Sequence, residues 1–219
     1  MMLSVIVPTL DSELFLPACL ERMSSADELV VVDGGSSDST VSIAERAGAR
    51  LIIAPKGRGS QLRAGGEAAA GDWLLFLHSD TLPAPGWRHA VDAHVANHPD
   101  KAACFAFRLA DKAWQARAVE KGVAARVRFL GLPYGDQGLL VPRSLYERVG
   151  GYRPLPLMED VDLVRRIGAR RLRLLEAEAW TSAERWRRDG WLRRSARNLL
   201  CLSLYRVGVS PERLARLYA

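Results

Sequence analysis

Short apolar runs that end abruptly at polar or helix-breaking residues recur through the first half of the chain. Leu3-Ser4-Val5-Ile6-Val7-Pro8 is one, and Leu29-Val30-Val31-Val32, which stops at Asp33, is the next. Arg50-Leu51-Ile52-Ile53 is the third, and Trp73-Leu74-Leu75-Phe76-Leu77 runs into His78-Ser79-Asp80 before Pro83. Runs of this length without alternation predict strands covered on both faces, as in a parallel sheet. Helical spacing fills the intervals. Ser12 to Met23 carries Leu14, Phe15, Ala18 and Cys19 with Ser12 as N-cap, and Ser39 to Ala47 lies between Asp38 as cap and Gly48 as stop. Gln61 to Ala70 follows a flexible basic loop, Lys56-Gly57-Arg58-Gly59-Ser60.

The alternation continues with a helix over Gly86–Asn97, a strand over Ala102–Leu109 and an amphipathic helix over Ala113–Arg128. Turn formers dominate Gly131 to Gly138, and a short strand, Leu139-Leu140-Val141, ends at Pro142. A helix over Arg143–Val149, a Pro-rich segment to Pro156, a helix opening near Met158 and a strand over Leu172–Leu175 follow. Two helices close the chain, Trp191–Val207 and one starting at Pro211. Strands alternating with helices predict an α/β fold, a mostly parallel sheet flanked by helices with a helical C-terminal elaboration. One domain is expected over 1–219, with halves at 1–110 and 111–219.

Composition narrows the class. The 219 residues hold no apolar run near the ~20 needed to cross a bilayer, and Met1 to Pro8 lacks the basic start of a signal peptide. Cys19, Cys104 and Cys201 are odd in number and scattered, which predicts buried free thiols and a cytoplasmic location. The net charge of +6 is uneven. Residues 1–110 carry 9 Lys/Arg against 13 Asp/Glu, and residues 111–219 carry 22 against 12. A basic half suits nucleic acid, an anionic membrane face or phosphorylated substrates, or is a solvated face. No recognition helix or base-stacking signature supports nucleic acid. Leu199 to Tyr205, flanked by Arg197 and Arg206, reads as a helix lying at the inner membrane face, packed on the domain, or forming a homodimer contact.

Four acidic clusters fall at strand ends or in loops: Asp33, Asp80, Asp136-Gln137 and Glu159-Asp160. Ligands of open α/β sheets bind outside the carboxyl ends of strands, so these side chains, with His78, are candidates for one shared site. Each also has a structural alternative. Asp33 and Asp80 suit turns, and Asp160 and Asp162 complement a helix N-terminus. Gly57-Arg58-Gly59-Ser60 resembles a phosphate cradle but matches neither the P-loop nor the dinucleotide fingerprint. His89, His94 and His98 share one helix and read as solvated.

Val5-Ile6-Val7-Pro8-Thr9-Leu10, Val31-Val32-Asp33-Gly34-Gly35-Ser36-Ser37-Asp38, His78-Ser79-Asp80 and Glu159-Asp160 together resemble the family 2 glycosyltransferases of GT-A fold. Tyr134-Gly135-Asp136-Gln137-Gly138, Pro156 to Val161 and Ser210 to Tyr218 resemble more narrowly a bacterial subfamily labelled arsenosugar-biosynthesis glycosyltransferase. The resemblance implies a metal-dependent, inverting transfer of sugar from a nucleotide-diphosphate sugar, a UDP-sugar first, to a small-molecule or lipid-linked acceptor. It implies that Pro8, Thr9 and Asp33 line the nucleoside pocket, with Asp33 accepting from the base, and that Arg63 approaches the base and diphosphate. Asp80 would bind Mg²⁺ or Mn²⁺, with His78 and Ser79 beside the donor. His78 stands where the family has an acid, which favours Mn²⁺ over Mg²⁺. Asp160, paired with Glu159, would be the general base. Asp136 and Gln137 are expected on the acceptor side from their Gly-rich loop alone, and Arg185 and Trp186 from Ser182-Ala183-Glu184-Arg185-Trp186, which resembles a degenerate form of a motif of processive relatives. A sugar-nucleotide pyrophosphorylase is the alternative enzyme, and a basic nucleic-acid-binding domain the alternative outside catalysis.

Overall fold

The computed structural model describes residues 1–218. Leu3–Thr9 (β1), Glu28–Asp33 (β2), Arg50–Ile53 (β3) and Trp73–Phe76 (β4) are the expected strands. Leu16–Arg22 (α1), Thr40–Arg46 (α2) and Arg58–Ala68 (α3) connect them. Beyond β4 come Thr81–Pro83 (β5), Trp87–Asn97 (α4), Ala102–Leu109 (β6) and Trp114–Leu130 (α5). Then follow Leu139–Pro142 (β7), Arg143–Arg148 (α6), Glu159–Ile167 (α7), Leu172–Thr181 (β8), Glu184–Asp189 (α8), Trp191–Arg206 (α9) and Pro211–Tyr218 (α10).

All eight strands form one sheet in the order β3-β2-β1-β4-β7-β6-β8-β5. β3, β2, β1 and β4 are mutually parallel, as are β6 and β8. β7 runs antiparallel between β4 and β6, and β5 antiparallel at the edge of β8. Strands from 1–110 and 111–219 thus interleave in one sheet.

The lack of alternation in the strands has a direct cause: both faces are covered. Ile6, Val30, Val32, Leu74 and Phe76 pack with α3, α6, α7 and α9, while Val5, Val7, Val31, Leu75 and Leu77 pack under α1 and α4 on the other face. A smaller cluster of Phe107, Leu109, Val123 and Trp186 lies under α5. Helix α9 buries Cys201 and Leu202 in the first core beside Leu214 of α10, so it packs on the domain and leaves Leu192, Leu199 and Leu200 exposed. No helix among the described residues is long and apolar enough to cross a membrane.

Several boundaries differ from the sequence expectation. Helix α1 begins at Leu16, and Ser12 instead takes up loop contacts: its amide donates to Thr40 Oγ1 at 2.7 Å. Asp38 Oδ1 accepts from the Thr40 amide at 2.9 Å, the predicted start of α2. β5 was hidden by Pro83, which is tolerated because an edge strand does not need every N–H. β8 extends six residues past Leu175, through Glu176-Ala177-Glu178-Ala179, where a register shift against β6 and poor strand formers mask it. Helix α3 opens at Arg58, so Gly57 to Ser60 is not a free loop. Cys19, Cys104 and Cys201 are buried free thiols. His94 is buried rather than solvated, stacked edge-on to Trp73 and bonded through Nε2 to the Lys101 carbonyl at 2.9 Å.

Candidate functional site

The carboxyl ends of β1, β2 and β4 lie along one edge of the sheet. Thr9 ends β1 and Asp33 ends β2, directly paired in register, and both are buried. Asp33 Oδ1 accepts from the hydroxyls of Thr9 (3.0 Å) and Ser36 (2.5 Å), and Oδ2 from the amides of Gly35 and Ser36 (both 2.8 Å). Burial alone would raise this carboxyl, but these four donors, Ser36 foremost, hold it below the usual carboxylate range. Gln61 on α3 clamps the same edge, its amide donating to the Thr9 and Val32 carbonyls at 2.7 and 2.8 Å. Pro8 is buried in β1, and Ser79 Oγ sits 3.2 Å from Ser12 Oγ, bridging the loops after β4 and β1.

Beside this edge opens a recess of about 140 Å³ whose walls include Arg58, His78, Asp80, Asp136, Asp160 and Arg185. Each wall has its own local cause. The chain leaves β4 through Leu77 and turns at once, with the Thr81 amide on the His78 carbonyl (3.1 Å), which throws His78 and Asp80 out of the sheet. Asp160 lies in the first turn of α7, preceded by Met158 in a left-handed conformation (φ 64°) uncommon for a side chain of that kind. Its Oδ2 accepts from the Gly135 amide at 2.8 Å, which ties α7 to the 3₁₀ turn Gly135–Gln137. Glycine at 135 lets the turn sit against the imidazole, since a Cβ there would lie 2.5 Å from His78 Nε2 and push it aside.

Charges in the recess are arranged by burial as much as by pairing. Burial, with the nearby Arg58 and Arg185 cations, holds His78 well below its ordinary range, so it is a neutral imidazole. Burial, aided by the Asp160 and Asp80 carboxylates, pushes Asp136 up to about 6 against the pull of Arg126 and Arg58, and its Oδ1 is buried without a partner. Arg185 approaches Asp80 at 3.9 Å. Glu159 is 1% exposed and ion-paired to Arg58, and burial raises its carboxyl despite that cation.

The structure therefore gathers His78, Asp80, Asp136, Asp160, Arg185 and Trp186 around one recess. Glu159 does not line it; it anchors Arg58 from below. Gln137 is turned into the sheet, donating to the Phe105 carbonyl at 3.0 Å. Arg63 is 52% exposed and paired with Glu67 at 2.8 Å, outside the recess. From α3 it is Arg58 that reaches the site, a residue the sequence hides in what reads as a loop. Gly59 explains the placement: a Cβ there would meet the Arg153 and Leu155 carbonyls at 2.6 Å, so only glycine lets the start of α3 press against that segment and bring Arg58 to Glu159. Asp162 beside Asp160 has a different job, pairing with Arg166 at 2.6 Å and Arg153 at 3.3 Å. Tyr134, Asn198 and Tyr218 also line the recess, the last donating to Asn198 Oδ1 at 3.2 Å. Nothing in the sequence signals that α10 folds back to this point.

Comparison with known proteins matches residues 4–153 to the family model described as "Glycosyl transferase family 2". A relative from Mycobacterium bovis (strain BCG / Pasteur 1173P2) named "PGL/p-HBAD biosynthesis glycosyltransferase" is 44% identical over 90 residues, covering 36% of this chain and 35% of its own. The match spans about a third of the length of such curated relatives. S. aureus TarS (residues 1–349) superposes over 100% of this chain and 70% of its own, with a TM-score of 0.65 at 18% identity. Mycobacterium tuberculosis glucosyl-3-phosphoglycerate synthase, solved with Mn²⁺, uridine diphosphate and glucosyl-3-phosphoglycerate, gives 0.59 at 20% identity over 83% of this chain and 70% of its own. These matches establish the GT-A fold, an α/β sheet flanked by helices.

Proposed function

The chain belongs to glycosyl transferase family 2, and from that premise we propose that its recess transfers a sugar, with inversion, from a nucleotide-diphosphate sugar to an acceptor hydroxyl. The observation that carries the reading is Asp160 on one wall of the recess with Asp80 and His78 among its other lining residues, beside the carboxyl edge where Thr9 and Asp33 meet. The nucleoside lies at Pro8, Thr9 and Asp33, and uridine is the first candidate because two structural neighbours hold uridine diphosphate. Arg58, kept in place by Glu159, and Arg185 face the negative charge that grows on the leaving diphosphate. Asp160 removes the proton from the acceptor hydroxyl. The oxygen then forms its bond to the anomeric carbon as the carbon–phosphate oxygen bond breaks, and the leaving group takes that electron pair. Asp136 and Trp186 border the acceptor. Within the family, the resemblance of the Tyr134–Gly138, Pro156–Val161 and Ser210–Tyr218 segments to the subfamily labelled arsenosugar-biosynthesis glycosyltransferase supports a proposal of membership there.

The residues present suit a divalent cation of the Mn²⁺ or Mg²⁺ type. Among the described residues no three His, Cys, Asp or Glu side chains form a ready cage. Asp80 and neutral His78 in the same recess offer the one or two protein donors that suffice when phosphate oxygens supply the rest. When bound, such an ion supplies charge neutralisation at the diphosphate. A nitrogen donor at His78 favours Mn²⁺.

Asp160→Asn should reduce transfer by on the order of 10²–10⁴, the usual contribution of a general base, with nucleotide affinity unchanged. Turnover at the wild-type rate would remove the base assignment. Calorimetric titration with UDP, GDP, CDP and TDP, with and without Mn²⁺, tests the donor half. One nucleotide should bind in a metal-dependent way that Asp80→Ala abolishes. Binding of none, under any metal condition, would refute the catalytic reading.

A further inference from the structure

Between α5 and α9 runs a groove of about 730 Å³, some five times the recess in volume, lined by aliphatic side chains such as Val119, Val123, Leu130, Leu199 and Leu202. Trp114, Trp186 and Trp191 add aromatic faces, the last two stacked at 5.8 Å. Its inner end meets the recess, since Tyr134, Trp186 and Asn198 line both. At that junction Arg126 lies over the Tyr134 ring, 3.4 Å from its centroid, with Nη2 buried and without a partner. An apolar trough that opens into the recess holding Asp160, with a guanidinium nitrogen left unpartnered at the junction, is suited to one kind of molecule. We infer that this groove holds the apolar chain of an amphiphilic acceptor, whose hydroxyl-bearing head passes Arg126 and enters the recess.

The inference rests on the transferase reading and deepens it by naming the acceptor class. Burial explains why the chain would enter: apolar side chains make up most of the lining and gain from excluding water. Charge argues against a second copy as occupant. The groove belongs to residues 111–219, which carry 22 Lys/Arg against 12 Asp/Glu, with Arg126 and Arg193 on its lining, so two copies face to face would repel. An amphiphile with a neutral or anionic head meets no such penalty.

Octyl, nonyl and decyl β-glucosides, used below their micelle concentrations, are the probes, followed by calorimetry and by fluorescence of the groove tryptophans. Affinity should rise roughly fourfold per added methylene, the value for a fully buried CH₂. Leu199→Glu, at a residue that lines the groove yet is 62% exposed, should weaken the longest probe at least tenfold. Leu200→Glu adds the same charge one residue along the same helix, off the groove and 56% exposed, and should leave binding intact. Both variants should bind nucleotide like wild type. Nucleotide binding with a flat chain-length series, or equal probe affinity in Leu199→Glu, would overturn the groove while leaving the transferase reading in place. Self-association that Leu199→Glu breaks, with no alkyl binding, would make the groove a contact between copies and overturn it too. Alkyl binding without any nucleotide binding would remove the transferase and the acceptor assignment together.

Discussion

Asp33 shows how a residue legible in the sequence takes on a second role in the fold. Its two oxygens accept four hydrogen bonds, about as many as a carboxylate offers, so it organises the loop after β2 before any ligand arrives. For Asp33 to accept from a base, the Thr9 or Ser36 hydroxyl must turn away. Asp33→Asn would set an amide donor against those donors and should cost about 1–3 kcal/mol at pH 7, measured by urea unfolding. The pH dependence has a definite sign. Because the folded carboxyl sits below its usual value, its stabilisation is complete above the unfolded pKa, ~4, and is lost as pH falls through the folded pKa. The gap between wild type and variant should therefore narrow on acidification below that point. A gap independent of pH would show that the four bonds do not stabilise the charged form. Glu159 makes a complementary case. Glu159→Gln keeps a partner for Arg58 but removes its charge, and should weaken nucleotide binding several-fold in calorimetric titration.

At the scale of elements, the helices are separated by what their glycines touch. Gly65 on α3 packs against the Ile6 and Val32 side chains, and a Cβ there would lie 2.8 Å from Val32 Cγ2. Gly65→Ala gains about 1 kcal/mol of helix propensity but overpacks the sheet, which typically costs about 1–3 kcal/mol. The net effect should be a loss. Gly122 on α5 meets nothing within 4 Å, so Gly122→Ala should stabilise by up to about 1 kcal/mol. Opposite signs in thermal denaturation are the expected result, and equal signs would mean that α3 is not seated this closely. The strands that lay between two cores were legible because both faces demand apolar residues. β5, the far end of β8 and the true start of α3 were not, since their local composition argues for turns and only cross-strand pairing or packing overrides it.

For the whole molecule, the site is a seam. Arg58, Asp80 and His78 come from residues 1–110, while Asp136, Asp160 and Arg185 come from 111–219, on strands and helices that interleave in one sheet. A nucleotide bound across it should stabilise the fold as one unit. At 100 times its Kd, the cognate nucleotide with Mn²⁺ should add about 2.7 kcal/mol, seen as a single shifted transition in calorimetry. A split transition would mean that the two halves unfold separately.

What the sequence determined by itself was the sheet-and-helix alternation, the acids at strand ends and the family motifs, because these depend on short-range pattern: periodicity, breakers and contiguous polar residues. Asp80 and Asp160 were candidates on those grounds, and both line the recess. Long-range packing is what brings Arg58 rather than Arg63 to the recess, turns Glu159 and Gln137 inward, and sets Tyr218 and the α5–α9 groove against the recess. Those outcomes depend on contacts between residues distant in the sequence, a hundred or more positions apart in the case of Arg58 with Glu159. No local pattern encodes which way a side chain turns when the packing partner arrives from the other half of the chain.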